Sequence, residues 1–432
     1  MNISKKTIEY NQNKKGGNNL IKIYLYLILF SIYLTPSLKF PGFPAIRIEE
    51  VLIILLILNL SVSILKNRPV KISWGSRQNL LLGFFFVVAV SIFNGTIKGY
   101  DTSVFDFNEF IKILKYLLIY TISVSVLHLN EDFEYEVKKI TDLIFRLSIV
   151  LFLIVIQQYF NLLNLNPYYV PFIAPTHFET LVGGYPSPRP VGMIGNPNLL
   201  GFLFAITALL AIFQIISKKV NIKYVVILFM NILGMFLTLS RTSLVSFIVG
   251  SIIIILTNIN LRNIAIFNLR KLYRLLILWL ISISVIIYVW NNTSFIEEIF
   301  WRFESLNNLA NDESWQARLL HWQENITLFK ENPILGVGPL SRANLQFAAD
   351  NEWLLLLRSF GIIGMIYFFL MFLVPYFNNN GKHYKVLSRS ILIASSVYMI
   401  PAAVYNSLIL MPLILIILSI SDKPGKTINF KR

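Results

Sequence analysis

Runs of about twenty apolar residues recur along this chain, and twenty residues of helix match the hydrocarbon thickness of a bilayer. They fall at 20–35, 48–65, 79–97, 107–127, 139–160, 198–216, 222–239, 242–259, 272–290, 352–377, 386–400 and 404–420. The last two are short and parted by Pro401, which favours a hairpin of two helices over one long span. Of the 432 residues, 56% are hydrophobic and only 14% charged, with a mean hydropathy of +0.65. Soluble domains carry roughly a quarter charged residues. The composition excludes a soluble enzyme. The expected fold is all-α, a polytopic integral membrane protein of about twelve transmembrane helices.

Charge then sets orientation. Lys and Arg number 38 against 22 Asp and Glu, a formal +16. Counted loop by loop, 25 cations fall on the N-terminus and alternate connections, and 9 on the others. That asymmetry predicts both termini in the cytoplasm. The basic excess is topological, so no nucleic-acid partner is implied. No small-residue cleavage site follows the first run, which reads as an anchor rather than a removed signal peptide. Cysteine is absent, which removes disulfides, thiol catalysis and Cys-ligated metals, and four histidines leave little room for a metal site.

The expected organisation follows: a cytoplasmic tail over 1–19, five helices over 20–160, and an outer Gly/Pro-rich loop over 161–197. Helices six to nine occupy 198–290, a large outer loop with short amphipathic helices 291–351, the last three helices 352–420, and a tail 421–432. The two long connections emerge on the outer face, where no ATP or nucleotide sugar is available. Long structured loops in compact proteins are usually functional. The chain shows no Walker sequence, no Gly-rich dinucleotide turn and no internal repeat that would suggest an inverted-repeat transporter.

Four features stand out. Nine of the nineteen residues from Gly183 to Gly201 are Gly or Pro, so this stretch cannot be a regular helix. It reads either as a loop tucked on the surface or as a cavity wall whose N–H groups, with Asn196 and Asn198, face a polar ligand. Trp315, Leu319, Trp322, Ile326 and Phe329 form one helical stripe, ended by Pro333 and Gly336, with Arg318, His321 and Asn325 along one flank. This is either a structural lid with Arg318 snorkelling or an interfacial helix presenting Arg318 to an anion. Arg241, in Thr238–Ser243, starts a helix against its macrodipole, which an anion or interfacial snorkelling would relieve. Asp350-Asn351-Glu352-Trp353 opens the tenth run, where carboxylates suit a helix N-terminus and capping alone is the competing account.

In this order the features resemble the bacterial O-antigen ligase and O-antigen polymerase superfamily. The matching parts are Gly195-Asn-Pro-Asn-Leu-Leu-Gly201, Ser240-Arg241-Thr242, Arg318 and Trp322 leading to Asn332-Pro-Ile-Leu-Gly-Val-Gly338, and Asp350–Trp353 followed by Gly361-Ile-Ile-Gly364. The resemblance implies metal-free, nucleotide-free glycosyl transfer at the outer face of the bacterial cytoplasmic membrane, with no cofactor. The donor it implies is a glycan on undecaprenyl pyrophosphate. Membrane lipids, a chain-length regulator and a flippase are the partners that go with it.

In the family, outer-face arginines engage the pyrophosphate, and Arg241 and Arg318 match those positions. Arg189 is a third candidate from its place in the preceding loop. Asn196, Asn198, Trp322 and Asn351 complete the expected substrate-binding set. Ligases usually carry a His-Asn pair where this chain has Asp350-Asn351, and that His is the proposed base. Polymerases more often show an acidic version. Polymerase is therefore the expectation, with Asp350 or Glu352 as base. A ligase with His321 supplying the imidazole stays open. A lipid-linked oligosaccharide transporter is the rival from another class, but it needs mid-membrane polar residues along a path. Arg146, Arg358, Lys112 and Lys115 are too few to trace one.

Overall fold

The structure, a computed structural model, describes residues 19–37, 46–66, 70–100, 102–129, 132–182, 188–217, 221–258, 313–340, 351–377, 382–422 and 425–430. The predicted span at 272–290 and the residue Asp350 lie outside the described residues. The chain divides into two compact units. The first comprises Met1–Leu147, Gln323–Ser388 and Ala403–Arg432, the second Ser148–Trp322 and Arg389–Ala402.

Six described helices are long and apolar enough to cross a bilayer: Ile48–Leu65, Ser76–Ile97, Phe105–His128, Phe133–Phe160, Pro197–Ser217 and Glu352–Val374. Shorter apolar helices cover Asn19–Leu34, Ile222–Leu237 and Arg241–Thr257. In chain order we label α1 Asn19–Leu34, α2 Ile48–Leu65, α3 Ser76–Ile97, α4 Asn108–His128, α5 Phe133–Phe160, α6 Asn166–Ile173 and α7 Phe178–Val182. There follow α8 Pro197–Ser217, α9 Ile222–Leu237, α10 Arg241–Asn258, α11 Glu313–Glu331, α12 Glu352–Phe377, α13 Lys382–Tyr398 and α14 Leu410–Leu418. The mostly helical, multi-span architecture agrees with the sequence reading. The last predicted span does not keep its length, because 404–409 is turn and only Leu410–Leu418 is α-helical.

Within the first unit, the core is an aromatic cluster in which the Phe84 ring meets Phe360, Phe368 and Tyr405 at centroid distances of 5.2, 6.3 and 5.7 Å. Most of α2's apolar face is exposed, as a lipid-facing helix requires. An antiparallel pair that the sequence reading left as loop and tail joins β1, Val70–Trp74, to β2, Lys426–Phe430, with Val70 opposite Phe430. Within the second unit, α8 is the most enclosed span and packs against α9 and α10. Tyr398 stacks on its Phe202 at 4.1 Å.

Two of the first unit's irregular segments cross what the sequence reads as continuous apolar runs. Such backbone survives away from water only if its polar groups find partners in the protein. At Gly361 (φ 62°) α12 is broken, and residues 333–338 take over its lost hydrogen bonds. Val337 N donates to Arg358 O (3.0 Å) and Gly338 N to Ser359 O (3.0 Å). In return Ile362 N donates to Pro333 O (2.8 Å) and Ile363 N to Ile334 O (3.3 Å). The two strands of backbone touch so closely that a Cβ at Gly361 would collide with the Ile334 carbonyl, and one at Gly336 with the Ser359 carbonyl. The glycines of 332–338 and 361 thus serve one interlock. Asn94 Nδ2 seals it from α3 by donating to Gly336 O at 2.7 Å.

Candidate active site

The Gly/Pro-rich stretch of the second unit is organised by a residue the sequence reading missed. Gln158, fully buried on α5, accepts from Val191 N (3.0 Å) and Gly192 N (2.7 Å) and donates to Gly192 O (3.0 Å). One amide side chain thereby substitutes for a strand partner. Its only signal is a glutamine pair inside an apolar run. Buried Asn166 ties α6 to the same place through Gln158 O (2.7 Å) and Leu181 O (3.1 Å), over a small core of Val170, Ile173, Ala174, Leu181 and Val191.

From this platform the chain enters α8. Gly195 sits at φ +80°, where a Cβ would press on Ile173 O at 2.9 Å. Asn196 then caps the helix, its Oδ1 accepting from Asn198 N (2.9 Å) and Leu199 N (3.2 Å), with Pro197 in the first turn. The Asn196 oxygen is therefore committed to the helix, and the capping account explains it. Asn198 differs: its Oδ1 receives Arg189 (3.1 Å) and its carbonyl receives Ser243 Oγ (3.2 Å). Arg189 also donates from Nε to Thr238 O at 3.2 Å. Gly201 lets α8 approach the α9–α10 turn, because a Cβ there would stand 2.7 Å from Thr238 Oγ1 and 2.9 Å from Ser243 Oγ.

The turn itself carries Leu239 at φ 54° and Ser240, whose carbonyl accepts the first α10 bond from Leu244 N (3.2 Å) and whose hydroxyl pairs with Ser243 Oγ at 2.7 Å. Half-buried Arg241 follows as the first residue of α10. The N-termini of α8 and α10 thus meet, each end carrying about half a positive charge, with Arg189 and Arg241 beside them. The sequence motifs at 195–201 and 240–242 thus pack against each other. His177, on the same loop, is held below the usual histidine range by burial and secondarily by the charge of Arg189.

Helix α11 forms where the apolar spacing predicts it and stops before Pro333. Its burial runs opposite to an ordinary amphipathic helix. Leu319, Leu320 and Ile326 are exposed, whereas Arg318, His321 and Trp322 are half-buried and Asn325 is buried. The polar flank is the inward side. In the first unit the helix end is fastened to the α3–α4 connection, where the Tyr100 hydroxyl donates to Glu331 and accepts from Asn332 Nδ2 (3.1 Å). The hydrogen bond to Glu331, and secondarily burial, push the Tyr100 phenol above its ordinary range.

At the start of α12, Asn351 Oδ1 caps Leu354 N at 3.2 Å. Glu352 points away from solvent and is 1% exposed. Its carboxylate collects three consecutive backbone N–H groups, those of Val404, Tyr405 (2.8 Å) and Asn406 (2.6 Å). That cage satisfies the second irregular segment, with the Tyr116 hydroxyl on Tyr405 O (2.5 Å) and Ser407 Oγ accepting from Leu410 N (3.1 Å). A carboxylate so engaged holds a turn. Of the two acidic candidates for the base, the geometry of Glu352 fits an anchor.

These elements define a multi-span membrane protein whose polar motifs cluster at helix ends and in docked loops. Residues 225–369, about a third of the chain, match the family model described as O-antigen ligase, which supports the O-antigen ligase and polymerase superfamily and a glycosyltransferase-like activity in general. No curated protein matches the chain. The matched span contains Arg241, Arg318, His321, Trp322, Asp350, Asn351 and Glu352; Arg189, Asn196 and Asn198 precede it.

Proposed function

We propose that this protein polymerises undecaprenyl-pyrophosphate-linked oligosaccharide repeat units at the outer face of the bacterial cytoplasmic membrane, as an inverting glycosyltransferase needing neither metal nor nucleotide. The observation that carries this reading is the meeting of two helix N-termini with Arg189 and Arg241, a concentration of positive potential suited to a pyrophosphate. Arg318, on the inward flank of α11, is the third cation of the proposed donor site. An acceptor hydroxyl attacks the anomeric carbon and its proton passes to Asp350. The bond from that carbon to the pyrophosphate oxygen breaks on the opposite side, and lipid pyrophosphate leaves as an anion. The arginines stabilise the charge that develops on it. Pyrophosphate is already a good leaving group, so positioning and electrostatics supply most of what is needed.

Asp350 in the place of the ligases' His favours the polymerase. A ligase transferring the glycan to a lipid A-core acceptor is the second reading, supported by the family description and by His321 one turn from Arg318 on the same flank. Purified protein given lipid-linked repeat units without nucleotide separates them. Chain lengthening supports the polymerase, transfer only when lipid A-core is added supports the ligase, and translocation alone supports a transporter.

A further inference from the structure

We propose that Asn406 is a sugar-binding residue of the acceptor subsite, presenting its amide N–H groups to a hydroxyl of the incoming oligosaccharide. This rests on the glycosyl-transfer reading above. Nothing in the sequence marks Asn406, which lies in an apolar stretch after α13.

Two independent groups fix it. Its backbone N–H donates to Glu352 at 2.6 Å, and Lys112 Nζ donates to its Oδ1 at 2.5 Å. An ammonium has donors and no acceptor. The amide oxygen must therefore face Lys112, and Nδ2 must point the other way. Nδ2 makes no hydrogen bond among the described residues. Lys112 is itself immobilised: it pairs with Glu109 and lies over the Tyr405 ring at 4.3 Å, while the Tyr405 hydroxyl donates to the other Glu109 oxygen at 2.8 Å. Lys112 thus holds the amide oxygen and Glu352 the backbone, while Glu109 and Tyr405 hold Lys112.

The place is also right. Val404 and Tyr405 are buried, but Asn406 is half-exposed. Its N–H is bonded to Glu352, two positions after the proposed base Asp350 and next to the capping residue Asn351. Among the described residues the charged groups that bond to it or to its Lys112 are one Lys and two Glu, Lys112, Glu352 and Glu109. That environment repels phosphate and leaves a neutral hydroxyl as the partner for a pre-aimed donor.

The test uses full-length protein in lipid nanodiscs. The donor is lipid-linked oligosaccharide extracted from cells lacking this protein, and the acceptor is the same oligosaccharide freed of lipid by mild acid. Asn406→Ala is expected to raise the acceptor KM about tenfold, the loss of one well-placed hydrogen bond, while kcat and the donor KM stay within about twofold. Lys112→Met should shift the acceptor KM in the same direction, and Lys112→Arg should restore it, because a guanidinium also donates to the amide oxygen. An unchanged acceptor KM in Asn406→Ala, or a fall in kcat alone, overturns the proposal. Asn406→Ser replaces the alanine variant if the latter does not accumulate. If wild-type protein extends no acceptor at all, the glycosyl-transfer reading fails separately. Saturation-transfer NMR with the lipid-free oligosaccharide then decides the subsite: a signal lost in Asn406→Ala upholds it, and equal signals overturn it.

Discussion

In the first unit Arg77 closes on Asp422 at 2.7 Å with almost no exposure, while Arg47 pairs with Glu49 at 2.6 Å and Lys115 with Glu49 and Glu50 at 3.1 Å each. In the second unit Arg189 donates to a carbonyl and to an amide oxygen, beside Arg241 and two helix N-termini. The contrast separates two uses of a cation in a membrane protein. A buried pair is internally neutral and acts as a staple, whose removal on one side leaves an uncompensated charge. Cations gathered at helix N-termini add their charge to that of the helix dipoles. A count of cations per loop weighs every arginine alike, and the structure adds what each of these touches.

The contrast can be broken most sharply at the proposed base. Asp350→Asn keeps size and capping capacity but removes basicity, so chain extension should fall roughly 100- to 10,000-fold at normal protein abundance. A cap alone is worth on the order of 1 kcal/mol of stability. His321→Gln should show no comparable loss. A fully active Asp350→Asn paired with a dead His321→Gln would move the base to α11 and revive the ligase.

For the staples the expected effect is on stability instead. Arg77→Met should cost about 3–5 kcal/mol by stranding Asp422, read as thermal unfolding in detergent, and Arg77→Met with Asp422→Leu should recover most of it. If the single variant unfolds like wild type, the pair is not a staple. On the donor side, Arg318→Lys keeps charge but loses the planar fork, and activity should drop roughly 100-fold with membrane insertion intact. Normal polymer at equal protein level would leave Arg318 a snorkelling residue.

The smallest effect concerns His177, held below the usual histidine range by burial and secondarily by Arg189. The folded protein then binds fewer protons there than the unfolded chain, so stability rises with pH. It should decline as pH drops below about 6.5 and level off once the depressed folded pKa is passed. Unfolding at pH 7.5 and 5.5 should show that decline in wild type and a weaker one in His177→Gln.

Much of the helical frame was legible because it follows from composition and run length, which need no partner. α11 was legible too, from spacing and the proline after it. Its orientation was not, because the spacing allows a lid or an interfacial helix alike, and only the exposure of Leu319 and Ile326 with Asn325 buried turns the polar flank inward. Glu352 shows the other limit. Beside Asp350 and Asn351 it read as a cap or a base, but its partners lie more than fifty residues later, at 404–406. The break at Gly361 was hidden for the same reason, since Gly-Ile-Ile-Gly is as apolar as the helix around it. β1 does alternate polar and apolar residues and β2 does so from Thr427, but each is too short to stand out beside the spans.

The interlock at Gly361 also constrains how the protein is made. A span broken there would enter the bilayer with carbonyls at Arg358 and Ser359 and amides at Ile362 and Ile363 lacking helical partners, each costing several kcal/mol in hydrocarbon. The segment that satisfies them, 333–338, precedes α12 in the chain and leaves the ribosome first. Biogenesis can therefore present the template before the helix that needs it.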